Sequence, residues 1–145
     1  MSKLVVVLGP TATGKTSLSV NLANHFNGEI ISADSRQIYK TLDIGTGKDL
    51  DEYTTNNVET PYHLIDILRP NQNYSVFEYK NDFLKTYKQI NKRNNLPILS
   101  GGTALYIESI LLNYQMPNVP PNINLRQTLE KKSQAQLIKE MKIIN

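Results

Sequence analysis

The sequence contains no cysteine, so neither a disulfide nor a thiolate zinc site can hold the fold. Cysteine usage therefore gives no information on the redox compartment. Long apolar runs are also missing, because the opening run of residues 4–8 is far shorter than the roughly 20 residues that span a bilayer. No segment has the pattern of a signal peptide. We therefore expect a soluble, cytoplasmic protein with no membrane contact.

The composition is that of a small globular domain. The chain has 145 residues, of which 39% are hydrophobic and 20% charged, so it can bury a core of its own. Sixteen Lys and Arg residues against thirteen Asp and Glu residues leave a net charge of +3. This mild basic excess suits a polyanionic partner, but it is equally typical of ordinary solubility. Charge alone consequently does not identify a nucleic-acid-binding protein.

The amino-terminal third predicts a strand, a glycine-rich turn and a helix. Residues 4–8 form a short β-branched run typical of a buried parallel strand. Residues 16–26 are predicted to be helical, with Leu18, Leu22 and Phe26 as the apolar stripe. Parallel strands joined by helices are the expected outcome of this order.

The middle of the chain repeats the alternation. Residues 29–32 predict a second strand, and residues 61–68 an extended segment. Ser75 followed by Glu78 matches a capping box, and the apolar spacing after it predicts an amphipathic helix that runs towards Arg93.

The carboxy-terminal third begins with a further strand and helix, at residues 96–99 and 104–112. A proline-rich spacer at residues 116–122 and one more helix over residues 125–144 follow. We therefore predict an α/β fold, a parallel sheet with flanking helices that ends in a helical segment. Residues 1–113 would be the core of this fold, and residues 114–145 the proline-rich spacer and a further helix.

The motif GPTATGKT follows the first predicted strand and precedes the first helix, the context that a phosphate-binding P-loop requires. Its backbone N–H groups and a helix amino end attract phosphate, the lysine adds a mobile charge, and the Thr16 hydroxyl is placed to bind Mg²⁺. The alternative is a glycine-rich turn with no ligand. The predicted phosphate-binding residues are Gly9, Pro10, Thr11, Ala12, Thr13, Gly14, Lys15 and Thr16.

Two further motifs follow predicted strands. In ISADSRQIY, Asp34 and Ser35 come directly after the second strand, and in LSGGTALY, Thr103 follows the strand at residues 96–99. Because ligands of open parallel sheets bind at the carboxyl ends of the strands, these side chains are expected beside the P-loop. Alternatively, Asp34 and Ser35 form an Asx-turn or cap a short helix, and Thr103 caps the helix after it.

Four motifs together resemble one family. GPTATGKT, ISADSRQIYKTLDIGTGK, HLIDIL and SGGTALYIESIL, in this order and spacing, resemble the amino-terminal part of the tRNA dimethylallyltransferases, or tRNA isopentenyltransferases. The resemblance covers residues 4–112. It implies a P-loop NTPase-like fold in which residues 1–113 are part of the P-loop catalytic core and residues 114–145 are the spacer and the start of a helical insertion domain. It implies transfer of a dimethylallyl group from dimethylallyl diphosphate to N6 of an adenine next to the tRNA anticodon.

The resemblance also implies a role for each matched residue. Asp34 would be the general base, Thr103 would position the amine or the leaving oxygen, and Lys15 would stabilise the departing diphosphate with Mg²⁺. The implied contacts with the anticodon stem-loop of tRNA are Asp34, Ser35, Arg36, Gln37, Thr103 and Arg126.

The chain departs from the family pattern in two respects. The family motif GTAKP here reads GTGKD, which keeps Lys48 but places Asp49 where the family has proline, so a more mobile turn is expected. Family members are also about twice as long, which implies a fragment, the product of a broken gene, half of a split enzyme, or a complete short enzyme. We expect a monomer, or a chain that works with a complementing carboxy-terminal half. His63, in HLIDIL, is expected to have a structural role.

Three classes of function therefore stay open at this point. The first is a transferase acting on tRNA. The second is a small-molecule enzyme, either an adenine-nucleotide isopentenyltransferase or a P-loop kinase. The third is an inactive fragment that binds phosphate compounds.

Overall fold

The computed structural model describes residues 3–48, 50–55 and 57–144, and Asp49 lies outside them. The chain divides into two compact units, Met1–Tyr114 and Gln115–Asn145. Within the described ranges, no helix has the length and apolar character needed to cross a membrane.

A four-stranded parallel sheet forms the centre of the first unit. Its strands in chain order are β1 (Val5–Leu8), β2 (Gly28–Ser32), β5 (Tyr62–His63) and β6 (Leu96–Gly101). The spatial order is β1-β6-β2-β5, and every pair is parallel. All four strands therefore end at the same edge of the sheet, as the predicted α/β fold requires.

Helices cover both faces of this sheet. The helix α1 (Lys15–Phe26) packs on one face, where Val7, Ile30 and Ile98 are buried. The helices α2 (Val76–Lys92) and α3 (Ala104–Leu111) pack on the other face with Ile31 and Leu99. Alternate residues of each strand thus enter different cores, which explains why the strands read as continuous apolar runs.

The capping box predicted before α2 is present. The Ser75 hydroxyl accepts a hydrogen bond from the Glu78 backbone N–H, and the Glu78 carboxylate accepts one from the Ser75 N–H. Further along, Tyr79 stacks on Tyr106 of α3 with ring centroids 3.9 Å apart. The Tyr79 hydroxyl donates to the Ser32 carbonyl at 3.1 Å, so α2 is anchored to the end of β2.

The apolar stripe predicted for α1 is only partly correct, since Leu22 packs against the buried core but the other two residues do not. Leu18 and Phe26 are 51% and 55% exposed, whereas Ser19, Val20 and Ala23 are buried against the sheet. Small side chains on this face allow a close approach of helix and sheet, and the Ser19 hydroxyl is satisfied by a 2.7 Å hydrogen bond to Ser100 Oγ. The small size of these side chains and the hydrogen bond of the Ser19 hydroxyl, rather than hydrophobicity alone, therefore determine which face of α1 is buried.

The extended segment predicted at residues 61–68 is only partly present. Regular strand pairing is limited to β5, with one isolated parallel bridge between Tyr39 and Leu68, because Leu64 and Asp66 have left-handed backbone angles, with φ of 62° and 54°. Before β5, a short 3₁₀ helix (Leu50–Tyr53) leads into a small hairpin of β3 (Thr54–Thr55) and β4 (Val58–Glu59), which the sequence did not predict.

The single helix predicted over residues 125–144 is also wrong. The second unit instead contains α4 (Ile123–Glu130) and α5 (Gln134–Ile144). The Ser133 N–H donates to Gln136 Oε1 at 2.9 Å, and the Gln136 N–H lies 3.4 Å from Ser133 Oγ, so this pair starts a new helix. The pattern of serine and, three residues later, glutamine is a capping box that would have predicted the break.

A buried ionic cluster lies near the amino-terminal ends of β2 and β6. Glu29 is almost fully buried and accepts two hydrogen bonds from Arg93, at 2.7 and 2.6 Å, and one from Asn95 at 2.8 Å. His63 Nε2 lies 2.6 Å from Glu29 Oε2, which confirms the structural role expected for this histidine. Hydrogen bonds from Arg93, with smaller contributions from His63 and Asn95, lower the Glu29 pKa to about 2 against the opposing effect of burial.

This cluster makes the stability of the protein acid-sensitive. Because the Glu29 pKa is depressed from 4.5 to about 2, its contribution is present above pH 4.5 and is lost as the pH falls towards 2. A difference of this size corresponds to about 3 kcal/mol. In urea titrations at pH 7, 5 and 3, Glu29→Gln should be less stable at pH 7 and show a weaker decline than the wild type. The exposed Glu59→Gln is the matched control, and equal pH profiles for the wild type and Glu29→Gln would contradict the assignment.

Candidate active site

The P-loop turn connects β1 to α1 at the carboxyl edge of the sheet. Gly14 precedes the helix with φ 79°, a conformation that suits glycine, and no described side chain caps the helix start. The first N–H groups of α1 therefore remain available for an anion. The Thr13 hydroxyl donates to the Pro10 carbonyl at 2.8 Å, and the Lys15 ammonium donates to the same carbonyl. The turn is thus closed on itself, with its lysine folded along it.

A pocket of about 190 Å³ lies beside this turn. It is lined by P-loop residues 11–16, by residues that follow or end β2 and β6, and by residues of the intervening loops. The lining residues outside the P-loop are Asp34, Gln37, Thr46, Gly47, Glu52, Tyr53, Ser100 and Gly101. The strand ends thus converge at one cavity, which is the arrangement expected from the topology.

Asp34 both forms an Asx-turn and lies in the pocket, which are the two possibilities that the sequence left open. Its Oδ1 accepts a hydrogen bond of 2.9 Å from the Arg36 N–H, which is an Asx-turn, and the residue also lines the pocket. The turn orients the carboxylate but uses only one of its acceptor positions. Asp34 can therefore accept a proton from a ligand while its backbone stays fixed.

Thr103 does not cap α3 with its side chain. Its Oγ1 instead accepts a hydrogen bond of 2.9 Å from the Ser35 N–H and lies 3.3 Å from Ser35 Oγ. Thr103 is not among the described residues that line the pocket, so it acts on the site through the turn that carries Asp34. The Ala33 carbonyl accepts from the Thr103 N–H at 3.0 Å, which ties the same two segments a second time.

Gly101 explains how these segments come so close. A Cβ atom added at Gly101 would lie 2.3 Å from the Ala33 carbonyl oxygen, a separation that no side chain tolerates. The end of β6 and the segment after β2 are consequently in backbone contact. The first glycine of SGGT is therefore required by the close packing of these two segments beside the pocket.

Several pocket residues were missed by the sequence interpretation. Glu52 and Tyr53 belong to the 3₁₀ helix, whose position no motif indicates, and Ser100 is the last polar residue of β6. Tyr53 is buried, and burial raises its pKa to about 12, so it stays a neutral hydroxyl at physiological pH. Lys15 is opposed by two carboxylates, Asp34 and Glu52, among the described lining residues.

Four of the predicted residues of the first unit that remain are not among the described lining residues: Gly9, Pro10, Ser35 and Arg36. Ser35 and Arg36 form the turn next to the pocket, and Arg126 belongs to α4 in the second unit. Within the described residues, no cluster of three or more His, Cys, Asp or Glu side chains could hold a metal ion. Thr16 is among the lining residues, and its hydroxyl is a group that could hold Mg²⁺ beside ligand phosphates.

Comparison with known proteins identifies the family. A sequence model described as IPP transferase matches residues 37–145. The chain belongs to the IPP transferase family. This chain is 51% identical over 135 residues to tRNA dimethylallyltransferase 1 of Parabacteroides distasonis, covering 93% of this chain and 44% of that relative. It is 54% identical over 134 residues to tRNA dimethylallyltransferase 2 of Bacteroides fragilis, covering 92% and 44%.

Solved structures of the IPP transferase family agree with the fold. The full-length tRNA isopentenylpyrophosphate transferase of Bacillus halodurans superposes with a TM-score of 0.75 at 35% identity. The match covers 100% of this chain and 48% of that structure. The predicted P-loop NTPase-like α/β fold is thereby confirmed, and the chain spans less than half the length of these IPP transferases.

The link between Thr103 and Ser35 can be tested by stability. Thr103→Val keeps the shape of the side chain but leaves the Ser35 N–H without its acceptor, which should lower the free energy of unfolding by about 1–3 kcal/mol. Thr103→Ser retains the hydroxyl and should lose less. Urea denaturation of both variants measures the difference, and equal losses would show that the hydroxyl makes no such contribution.

Proposed function

We propose that this chain is the donor-binding and catalytic portion of a tRNA dimethylallyltransferase. In this reaction a dimethylallyl group passes from dimethylallyl diphosphate to N6 of an adenine next to the tRNA anticodon. The observation that supports the proposal is that P-loop residues 11–16, Asp34 and the SGGT strand end border one pocket. The family membership favours this reaction over a kinase.

The diphosphate is held at the P-loop. Uncapped N–H groups at the start of α1 and the Lys15 ammonium bind its oxygens and stabilise the negative charge that develops as it leaves. Because Asp34 and Glu52 outnumber Lys15 in the pocket, a bare diphosphate meets a net negative set of side chains. Mg²⁺, when bound at the Thr16 hydroxyl, supplies the compensating charge.

The acceptor amine requires a base. The lone pair of the exocyclic adenine nitrogen is delocalised into the ring, so loss of a proton as the C–N bond forms assists the attack. Asp34 takes this proton, and its Asx-turn keeps the carboxylate in place. Thr103 supports this base from outside the pocket, because its hydroxyl oxygen accepts from the Ser35 N–H and so holds the turn that carries Asp34.

Recognition of tRNA is shared with chain segments that the relatives possess beyond the matched region. This chain offers the turn at Ser35, Arg36 and Gln37, and Arg126 on α4. Extraction of a base from a structured loop costs a few kcal/mol of stacking and needs extensive contacts. We therefore propose a cytoplasmic protein that binds the donor as a monomer and modifies the anticodon stem-loop when a complementing carboxy-terminal half supplies the further contacts with tRNA.

The donor should stabilise the protein through Lys15. With Mg²⁺ and dimethylallyl diphosphate at a hundred times the dissociation constant, mass action adds about 2.7 kcal/mol to the free energy of unfolding. Thermal denaturation should therefore show a rise in melting temperature that Lys15→Ala abolishes. Lys85→Ala, which removes an exposed lysine of α2, should keep the rise. Strong stabilisation by ATP with none by dimethylallyl diphosphate would instead indicate a kinase.

Asp34 should affect transfer far more than donor binding. In a single-turnover assay supplemented with the carboxy-terminal half of a relative, Asp34→Asn should lower the rate by about a hundredfold or more while the dissociation constant of the donor changes little. Asp51→Asn, an exposed carboxylate of the 3₁₀ helix, is the control. A parallel loss of donor binding in Asp34→Asn would indicate a metal-binding role.

A further inference from the structure

Lys48 is a lysine whose side chain is completely buried. Its ammonium has three donors and three acceptors: the Tyr39 carbonyl at 2.7 Å, Asp43 Oδ1 at 3.0 Å and Asp66 Oδ1 at 2.6 Å. A buried ammonium persists only when it is paired and fully hydrogen-bonded, and this one is both. Its contacts with the two carboxylates raise the Lys48 pKa against the opposing and largest effect of burial.

The three acceptors belong to three different segments. Tyr39 lies in the turn after β2, Asp43 in the loop that follows it, and Asp66 in the loop after β5. The first and third segments are also joined by backbone hydrogen bonds, from the Asp66 N–H to the Gln37 carbonyl and from the Ile67 N–H to the Ile38 carbonyl. Lys48 therefore attaches the intervening loop, residues 40–48, to a frame that is already rigid.

This loop reaches the phosphate pocket. Thr46 and Gly47 line the pocket, and the Gly47 carbonyl accepts a hydrogen bond of 2.9 Å from Gln37 Nε2. Gln37 is itself fixed, since its Oε1 accepts from the Ser32 hydroxyl at 2.9 Å. The pocket wall formed by Thr46 and Gly47 is thus held by Gln37 on one side and by Lys48 on the other.

Side-chain packing contributes little to the shape of this loop. Gly45 and Gly47 have left-handed backbone angles, with φ of 77° and 65°, and a Cβ atom added at either would meet nothing within 4 Å. Ile44 is fully exposed. The loop is instead held by polar contacts: the Thr46 hydroxyl donates to the Leu42 carbonyl at 2.6 Å within it, and Gln37 and Lys48 connect its carboxyl end to neighbouring segments.

We propose that Lys48 is a positioning residue, whose buried ammonium holds the Thr46 and Gly47 wall against the P-loop side of the pocket and keeps Gln37 in place beside Asp34. Lys48 does not itself line the pocket, so it acts on a ligand only through this loop. The part of the inference that concerns ligand affinity rests on the proposed binding of dimethylallyl diphosphate.

The test combines hydrogen exchange with binding. Lys48→Met retains the length of the side chain and removes the charge, and Lys40→Met, an exposed lysine of the same loop, is the matched control. Well below the melting temperature, amide exchange in peptides covering residues 40–48 should accelerate in Lys48→Met only, with β6 still protected. The dissociation constant of dimethylallyl diphosphate with Mg²⁺, from calorimetry, should rise about tenfold, because binding must then order a loop that Lys48 no longer holds.

Single carboxylate variants provide a second measurement if Lys48→Met fails to fold. Asp66→Asn should accelerate exchange in the loop more than Asp43→Asn, since Asp66 is nearer to the ammonium and is 34% exposed against 68% for Asp43. Unchanged exchange in residues 40–48, or unchanged donor affinity in a folded Lys48→Met, would overturn the inference. If the wild type does not bind the diphosphate, the proposed function fails, whereas the exchange measurements still decide whether Lys48 holds the loop.

Discussion

The pairing of β6 between β1 and β2 is the constraint on which the site depends. Because β6 is hydrogen-bonded in parallel to both neighbours, the P-loop after β1, the Asp34 turn after β2 and the SGGT turn after β6 end at the same edge of the sheet. The contact of Gly101 with the Ala33 carbonyl brings two of these segments together. Short backbone and hydroxyl contacts then fix their relative positions, so the pocket is a consequence of strand order and close packing.

The electrostatic balance of this pocket distinguishes it from a simple anion site. One lysine faces two carboxylates among the described lining residues, and the helix amino end supplies further positive potential. Such a set of charges disfavours a free polyanion but suits a phosphate ligand that arrives with a divalent cation. It also leaves a carboxylate free to accept a proton, which a purely basic pocket could not offer.

The sequence predicted those features that depend on local chemistry. It predicted the glycine-rich turn between β1 and α1, the capping box at Ser75 and the parallel sheet with its helices. Each of these is determined by a residue spacing or by a turn residue. The buried face of α1 was not fully predicted, since Ser19 is buried through a partner 81 residues away. The positions of Glu52 and Tyr53 in the pocket could not be predicted either, because they depend on the path of an irregular loop, which no periodic sequence pattern indicates. Lys48 was noted only as part of a motif, and its burial depends on carboxylates from two loops.

We propose that this chain supplies the donor site and the base of a tRNA dimethylallyltransferase and that a carboxy-terminal half supplies the contacts with tRNA. The most direct measurement is transfer from labelled dimethylallyl diphosphate to an anticodon stem-loop RNA, by the chain alone and with a separately expressed carboxy-terminal half of a relative. Filter binding of the same RNA at two salt concentrations reports the phosphate contacts. The account predicts weak RNA binding and little product for the chain alone, and prenylated adenine when the halves are combined. Rapid multiple turnover by the chain alone, or transfer to AMP but never to the RNA, would contradict it.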